Sequence, residues 1–357
     1  MRFAKKAAAI IGLIMIFTIL AGCAPSEEFS NKETKYYIAY SNVFTFNGEL
    51  CGIDEDGNFT SRSKVRLRDG YDSKKFIDGK KIIGGSRANS HLIVDGEGNY
   101  KEFYLLDNPM YTGVCSITMY GDRIVASMNG GYYNGIYLND FVVQNLSGDV
   151  EIEKEIEIYG CDIICSDDIA YIVGTMESAS EEGLIRTAKI ISYNLTSGEM
   201  NEQLYEAQKS IESVCVLNGK LYCAVERINM GTNEIYVIDP KTLEKTDTFE
   251  YSGGIEGLLN YDDKLYCGIG NKFCQISSEE SAVLEELYEL PQNSYIEDTA
   301  ASNGHIYITI CLNNPDKENS IYGIQIDYDL SAKTYVETPI HLSLQKNRFF
   351  VVCPTSN

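Results

Sequence analysis

The 357-residue sequence predicts an all-β fold, a seven-bladed β-propeller of four-stranded blades. Two turn motifs recur in strict alternation at a period near 45 residues, and this is the main reason for the prediction. Composition agrees. Short β-branched and aromatic runs are separated by Gly, Asn and Asp, and Pro is scarce at 7 residues.

The first motif is a polar turn followed by an apolar strand. It reads Asn218-Gly219-Lys220-Leu221-Tyr222-Cys223, Asp262-Asp263-Lys264-Leu265-Tyr266-Cys267 and Asn303-Gly304-His305-Ile306-Tyr307-Ile308. Weaker copies begin at Asp78-Gly79, Gly121-Asp122 and Asp167-Asp168, and Tyr36-Tyr37-Ile38 has the strand without the turn. The first apolar residues fall at 36, 82, 124, 169, 221, 265 and 306, with intervals of 46, 42, 45, 52, 44 and 41.

The second motif is a strand ending in a tight polar turn. Copies are Ile53-Asp54-Glu55-Asp56-Gly57-Asn58, Val94-Asp95-Gly96-Glu97-Gly98-Asn99, Asn145-Leu146-Ser147-Gly148, Asn194-Leu195-Thr196-Ser197-Gly198, Ile238-Asp239-Pro240-Lys241-Thr242, Ile276-Ser277-Ser278 and Tyr328-Asp329-Leu330-Ser331. These seven interleave one for one with the first set.

With strands A to D counted from the axis outward, the first motif is the A–B turn and strand B. The second is strand C and the C–D turn. Strand A is the apolar run before each A–B turn, as in Val114-Cys115-Ser116-Ile117. Blade one lacks such a run, and the chain end has a spare in residues 340–344 and 348–352. Part of it is expected to close the ring beside residues 36–40, which removes exposed sheet edges. Residues 349–352 could instead begin an eighth blade, so eight is the alternative count. Residues 279–290 are the nearest approach to a helical period and the one candidate for a short helix.

Across residues 36–353 the chain resembles bacterial propeller lipoproteins of the YVTN and quinoprotein-like type. It has no Trp. It therefore lacks the tryptophan docking motifs of pyrroloquinoline-quinone enzymes and the Trp-Asp of WD repeats. Gly84-Gly85, Gly130-Gly131 and Gly253-Gly254 are similar to kelch double glycines but irregularly spaced.

At the N-terminus, Arg2, Lys5 and Lys6 precede an uncharged, mostly apolar stretch at 7–20. Its 14 residues fall short of the roughly 20 that span a bilayer, and they fit a signal-peptide core. Leu20-Ala21-Gly22-Cys23 resembles a lipobox, the motif of bacterial lipoproteins. The resemblance implies cleavage after residue 22, lipid on Cys23, and anchorage on the outer face of the cytoplasmic membrane. Two acyl chains suffice for stable anchoring. The organisation expected is a signal peptide at 1–22, a polar flexible tether at 23–35 and a propeller domain at 36–353.

The net charge of −22 argues against nucleic acid, which needs a basic footprint. Eleven cysteines are present, many inside apolar strand-like runs, where a thiol acts as a small hydrophobe. One pair is a possible disulfide. Gly270-Asn271 reads as a two-residue hairpin turn, which places Cys267 across from Cys274.

Function is expected on the B–C loop face, because long loops on a rigid scaffold are where binding concentrates. Blades three, four, five and seven have long B–C segments at 129–134, 174–187, 227–233 and 313–320. Candidate binding residues there are Tyr111, Tyr132, Tyr133 and Tyr295, with Glu177 and Glu181 in the longest segment. Tyrosine has a flat apolar ring with a polar tip, suited to sugars or partner side chains. The three histidines, His91, His305 and His341, have no metal-ligand spacing, and no metal or cofactor is expected. Asp54-Glu55-Asp56-Gly57 reads as a hairpin turn rather than a calcium loop. The leading expectation is a non-enzymatic binding or protein-assembly module with a protein or glycan partner. The alternative is carbohydrate binding or glycoside hydrolysis at the central channel, through Glu256 and Glu297. A carboxylate separation of roughly 5–9.5 Å would favour hydrolysis, and salt-bridged groups would oppose it.

Overall fold

The computed structural model describes residues 29–41, 48–67, 73–108, 112–180, 183–227, 231–316, 321–341 and 349–355. Among them the only helical element is a 3-10 turn at Leu105–Asp107, and the other elements are strands. In chain order they are β1 (Tyr36–Ser41), β2 (Gly48–Ile53), β3 (Phe59–Val65), β4 (Ser73–Ile77), β5 (Lys80–Gly84), β6 (His91–Asp95) and β7 (Tyr100–Phe103). Then come β8 (Val114–Tyr120), β9 (Arg123–Tyr133), β10 (Ile136–Asn145), β11 (Val150–Ile156), β12 (Tyr159–Ser166), β13 (Ile169–Ser180), β14 (Gly183–Asn194) and β15 (Met200–Ala207). They are followed by β16 (Lys209–Leu217), β17 (Lys220–Arg227), β18 (Gly231–Ile238), β19 (Lys245–Glu250), β20 (Ile255–Tyr261), β21 (Lys264–Ile269), β22 (Lys272–Ile276) and β23 (Val283–Glu289). The last are β24 (Ser294–Ser302), β25 (His305–Asp316), β26 (Ile321–Asp329), β27 (Thr334–His341) and β28 (Phe349–Pro354).

Five sheets are four-stranded and antiparallel: β28-β1-β2-β3, β4–β7, β16–β19, β20–β23 and β24–β27. The sixth has eight strands. It consists of two meanders, β8–β11 and β12–β15, joined by the single pair Ile136↔Ser178. This is a propeller of four-stranded sheets.

Turn chemistry explains why the two motifs recur. In the A–B turns, two successive residues take the left-handed conformation at Asp78-Gly79, Asp167-Asp168, Asn218-Gly219, Asp262-Asp263 and Asn303-Gly304. Two positive φ angles match the twist of the flanking strands, and Asn, Asp and Gly accept them at least cost. In the C–D turns, one side chain accepts backbone N–H groups from residues two to four ahead. Asp54 serves Asp56 and Asn58, Asp95 serves Glu97 and Asn99, and Asn145 serves Ser147 and Asp149. Asn194, Asp239 and Asp329 do the same, and Ser277 Oγ takes the role between β22 and β23. The Asp54 run is thus a hairpin turn, as expected.

The ring is closed by the chain end. β28 pairs with β1 from Tyr36↔Pro354 to Ser41↔Phe349. Residues 340–341 belong instead to β27, the outer strand of the last sheet. Apolar clusters fill the spaces between consecutive sheets. Tyr171, Val173 and Ile190 pack on Ile211, Val225 and Tyr236, whereas Tyr222 and Ile235 on the opposite face meet Leu265 and Cys267. Central strands buried on both faces read as near-continuous apolar runs.

Three expectations are corrected. Residues 279–290 form no helix. Most of that stretch is edge strand β23, which pairs with β22 and sends Leu287 and Tyr288 into the cluster around Phe273. The expected tether is bound to the first sheet from Ser30 onward, because its polar side chains have specific partners there. Ser30 Oγ donates to Asp54 Oδ2 at 2.6 Å, Lys32 pairs with Glu55 at 2.9 Å, and the Lys35 N–H donates to the Ile53 carbonyl. Cys267 and Cys274 are register partners, as the hairpin predicts, but both are free buried thiols. Burial pushes both thiols up, Cys274 to about 11. Residues 1–28, which include Cys23 and the expected signal segment, lie outside the described residues. No helix among the described residues is long and apolar enough to cross a membrane.

Candidate functional site

The inner strands β4, β8, β12, β16, β20 and β24 line a central cavity of about 570 Å³. In five of them the pairing slips at one recurring place. Cys115, Cys161, Glu212 and Glu297 are each an extra, unpaired residue, and β20 slips just after Glu256. A bulge of this kind re-aims a side chain. Cys161, Glu212 and Glu297 line the cavity.

Charge in the cavity is largely paired across sheets. Lys74 on β4 meets Glu297 on β24, and Lys81 on β5, fully buried, meets Asp298. Lys75 Nζ lies 2.7 Å from Asp162 Oδ2 on β12. Burial would lower the Lys74 ammonium, but Glu297 and Asp298 outweigh it and hold it above its usual range. Side chains also latch three of the inner strands to the next one round. Ile117 N–H donates to Ser73 Oγ at 2.7 Å, Val214 N–H to Asp162 Oδ2 at 3.0 Å, and Ile296 N–H to Glu256 Oε2 at 2.7 Å.

Glu256 and Glu297 do lie on inner strands, as the sequence suggests. However, Glu297 is ion-paired and Glu256 is bonded to the next strand, so the two do not stand as an acid/base pair facing a common substrate. Sequence reasoning missed Lys74, Lys75, Lys81, Asp162, Glu212 and Asp298. A signal for part of this was present. Ile211-Glu212-Ser213, Ile255-Glu256-Gly257 and Ile296-Glu297-Asp298 each begin seven residues before an A–B turn.

On the opposite side of the sheets, the B–C segments are mostly extended hairpins, not loops. Residues 174–187 continue the β13–β14 ladder to Ser180↔Gly183. The 129–134 segment is strand up to a two-residue turn at Asn134-Gly135, both with positive φ. β25 runs on to Asp316, and residues 228–230 and 317–320 lie outside the described set. Backbone pairing explains the correction, since a hairpin satisfies the N–H and C=O groups that a loop would leave to water.

Tyr132 and Tyr133 end β9 with 54% and 68% exposure, and Tyr159 starts β12 at 39%. Tyr132, Tyr137 and Tyr159 form an edge-to-face series with centroids 5.1 and 5.3 Å apart. The Tyr132 hydroxyl donates to the Glu177 carboxylate, and Arg186 Nε lies 2.6 Å from the same group. Glu177 is therefore a buried bracket between the two hairpins rather than a solvated charge. Tyr295, 39% exposed, opens β24 and is not part of this series. Tyr111 and Glu181 lie outside the described residues.

The histidines are separate. His91 is buried, with Nδ1 accepting from Gly85 N–H at 3.1 Å and Nε2 2.7 Å from Asn89 Oδ1, and desolvation lowers it to about 3. His305 Nδ1 sits 2.6 Å from Asp327 in a cleft of about 530 Å³ shared with Lys35 and Tyr307. Among the described residues no group of three His, Cys, Asp or Glu is placed to hold a metal.

No family model matches the chain, and no curated protein sequence does. Solved structures do match. Apo AztD from Citrobacter koseri is 9% identical with a TM-score of 0.51, covering 91% of this chain and 100% of that one. A second structure of Citrobacter koseri AztD gives 9% and 0.52, covering 91% and 99%. The dihydro-heme d1 dehydrogenase NirN, in complex with DHE, gives 9% and 0.51, covering 91% and 77%. The likeness is one of fold, a propeller.

Proposed function

We propose that the chain is a lipid-anchored extracytoplasmic binding module on a seven-bladed propeller, with the eight-stranded sheet counted as two blades. Its ligand docks on the platform made by Tyr132, Tyr133 and Tyr159. One observation carries this reading. Two hairpins longer than their counterparts in most other sheets meet at Ile136↔Ser178, and the Tyr132–Glu177–Arg186 bracket holds them together. Tyr132 and Tyr159 are thereby held by the bracket and the edge-to-face series, with little conformational entropy left to lose on binding, and Tyr133 is exposed beside them. The anchor rests on Leu20-Ala21-Gly22-Cys23.

A protein partner is the leading reading and a glycan the second, since tyrosine rings suit both. The test compares wild type with Tyr132→Ala/Tyr133→Ala. A partner cross-linked to wild type in intact membranes should be lost from the double variant while far-UV circular dichroism is unchanged. Equal capture by both proteins would remove the platform from the reading. Signal on a glycan array that disappears in the same variant would select the second reading. Cys23→Ala should shift the protein from membrane to medium still folded.

A further inference from the structure

We propose that the central cavity binds a small ligand bearing a primary ammonium group, and that Glu212 receives that group. The proposal is independent of the tyrosine platform and stands or falls separately from it.

The ring contains its own precedent. Glu212 and Glu297 are equivalent: each is the extra residue of an inner-strand bulge, six residues before an A–B turn. Each has a thiol beside it, Cys161 Sγ at 3.9 Å from Glu212 and Cys311 Sγ at 3.8 Å from Glu297. At Glu297 the position is filled by an ammonium, that of Lys74 reaching over from the second sheet. At Glu212 no lysine or arginine among the described residues is within ion-pair distance; its hydrogen-bond neighbours are Cys161 and the Ser210 hydroxyl, and the charges of Glu226 and Arg186 act on it with opposite sign from further away.

Pairing around the cavity makes this position distinct. The inner strands contribute Asp162, Glu212, Glu297 and Asp298 to its wall. Lys75 answers Asp162, Lys74 answers Glu297 and Lys81 answers Asp298. Among these inner-strand carboxylates Glu212 is the one with no lysine or arginine of the described residues within ion-pair distance; Arg186 acts on it only from further away and is itself bonded to Glu177. A desolvated carboxylate without a cationic partner is costly, and an arriving ammonium relieves that cost. Burial raises the Glu212 carboxyl above its usual range, consistent with this. The cavity, about 570 Å³, is within the roughly 300–1,000 Å³ of small-molecule sites. Its surplus of carboxylates over lysines disfavours an anionic ligand.

The experiment is isothermal titration with 1,4-diaminobutane at physiological ionic strength, which screens the exposed acidic surface. 1,4-Butanediol is the neutral isostere. Wild type should bind the diamine at one saturable site and the diol not at all. Glu212→Gln should weaken the diamine by at least about tenfold, as expected for losing a hydrogen bond to a charged group. Glu212→Asp keeps the charge one methylene further back and should fall between the two. Glu279→Gln, at an exposed C–D turn, should match wild type. Urea unfolding checks that each variant is folded. No saturable heat with wild type, equal affinity in Glu212→Gln, or equal binding of the diol would each overturn the proposal.

Discussion

Neighbouring sheets are held together differently at the closing seam and at the eight-stranded joint. At the seam, the first sheet lies between the last and the second, with apolar clusters on both sides. Lys74 and Lys81 of the second sheet reach past it to Glu297 and Asp298 of the last, partners 223 and 217 residues away. These pairs are buried or nearly so. At the joint, the bond is backbone pairing at hairpin ends, Ile136↔Ser178, with the Glu177 bracket beside exposed tyrosines. Closure therefore adds desolvated charge to strand pairing and apolar packing, and losing one partner of such a pair is expensive. The joint depends on contacts near water, where a lost partner is replaced by solvent. The exposed tyrosine surface at the joint can thus vary without risking the closure of the ring.

The sharpest way to break the seam is Lys81→Met, which leaves the Asp298 carboxylate buried without its cation. Stability should fall by about 3–5 kcal/mol in urea unfolding, and Lys81→Met/Asp298→Leu should recover most of it. Equal losses in single and double variants would mean that the pair does not hold the seam. Acid should act next, through His91 in the second sheet. Its folded value of about 3 lies below the ordinary 6.5, so between these values the unfolded chain binds more protons. This contribution to stability is complete above pH 6.5 and is lost as pH falls through that window, by up to about 1.4 kcal/mol per pH unit. Urea midpoints at pH 7 and pH 5 should differ by roughly 2 kcal/mol in stability for wild type and by much less for His91→Gln. The smallest effect is expected at the joint. Glu177→Ala should cost under about 1 kcal/mol globally, because Tyr132 and Arg186 turn to water. Amide exchange should nevertheless quicken in 130–138 and 176–187 alone. A large global loss would remove the distinction between the two regions.

Much of the architecture was legible because turns are local. Asx side chains at Asp54, Asp95, Asn145, Asn194, Asp239 and Asp329 bond to backbone only a few residues ahead, so their recurrence is written in adjacent letters. The Cys267↔Cys274 register was legible for the same reason. The candidate site was much less so. Tyr132 and Tyr133 are exposed, but Glu177 next to them is a buried bracket, since Arg186 and Tyr132 reach it only when two hairpins meet. Residues 279–290 looked helical because Glu, Leu and Tyr suit a helix, yet the free edge of β22 decided their conformation. Propensity is a weak prior against an unpaired strand edge.

By itself, the sequence determined the repeat, its spacing and the two turn chemistries, all set by residues close together along the chain, and it offered a spare strand at residues 348–352. Only the tertiary structure decided which lysine answers which carboxylate, that two hairpins join into one sheet, that β28 meets β1, and that no lysine or arginine of the described residues comes within ion-pair distance of Glu212. Those outcomes depend on groups tens to hundreds of residues apart, brought within bonding distance when the ring closes.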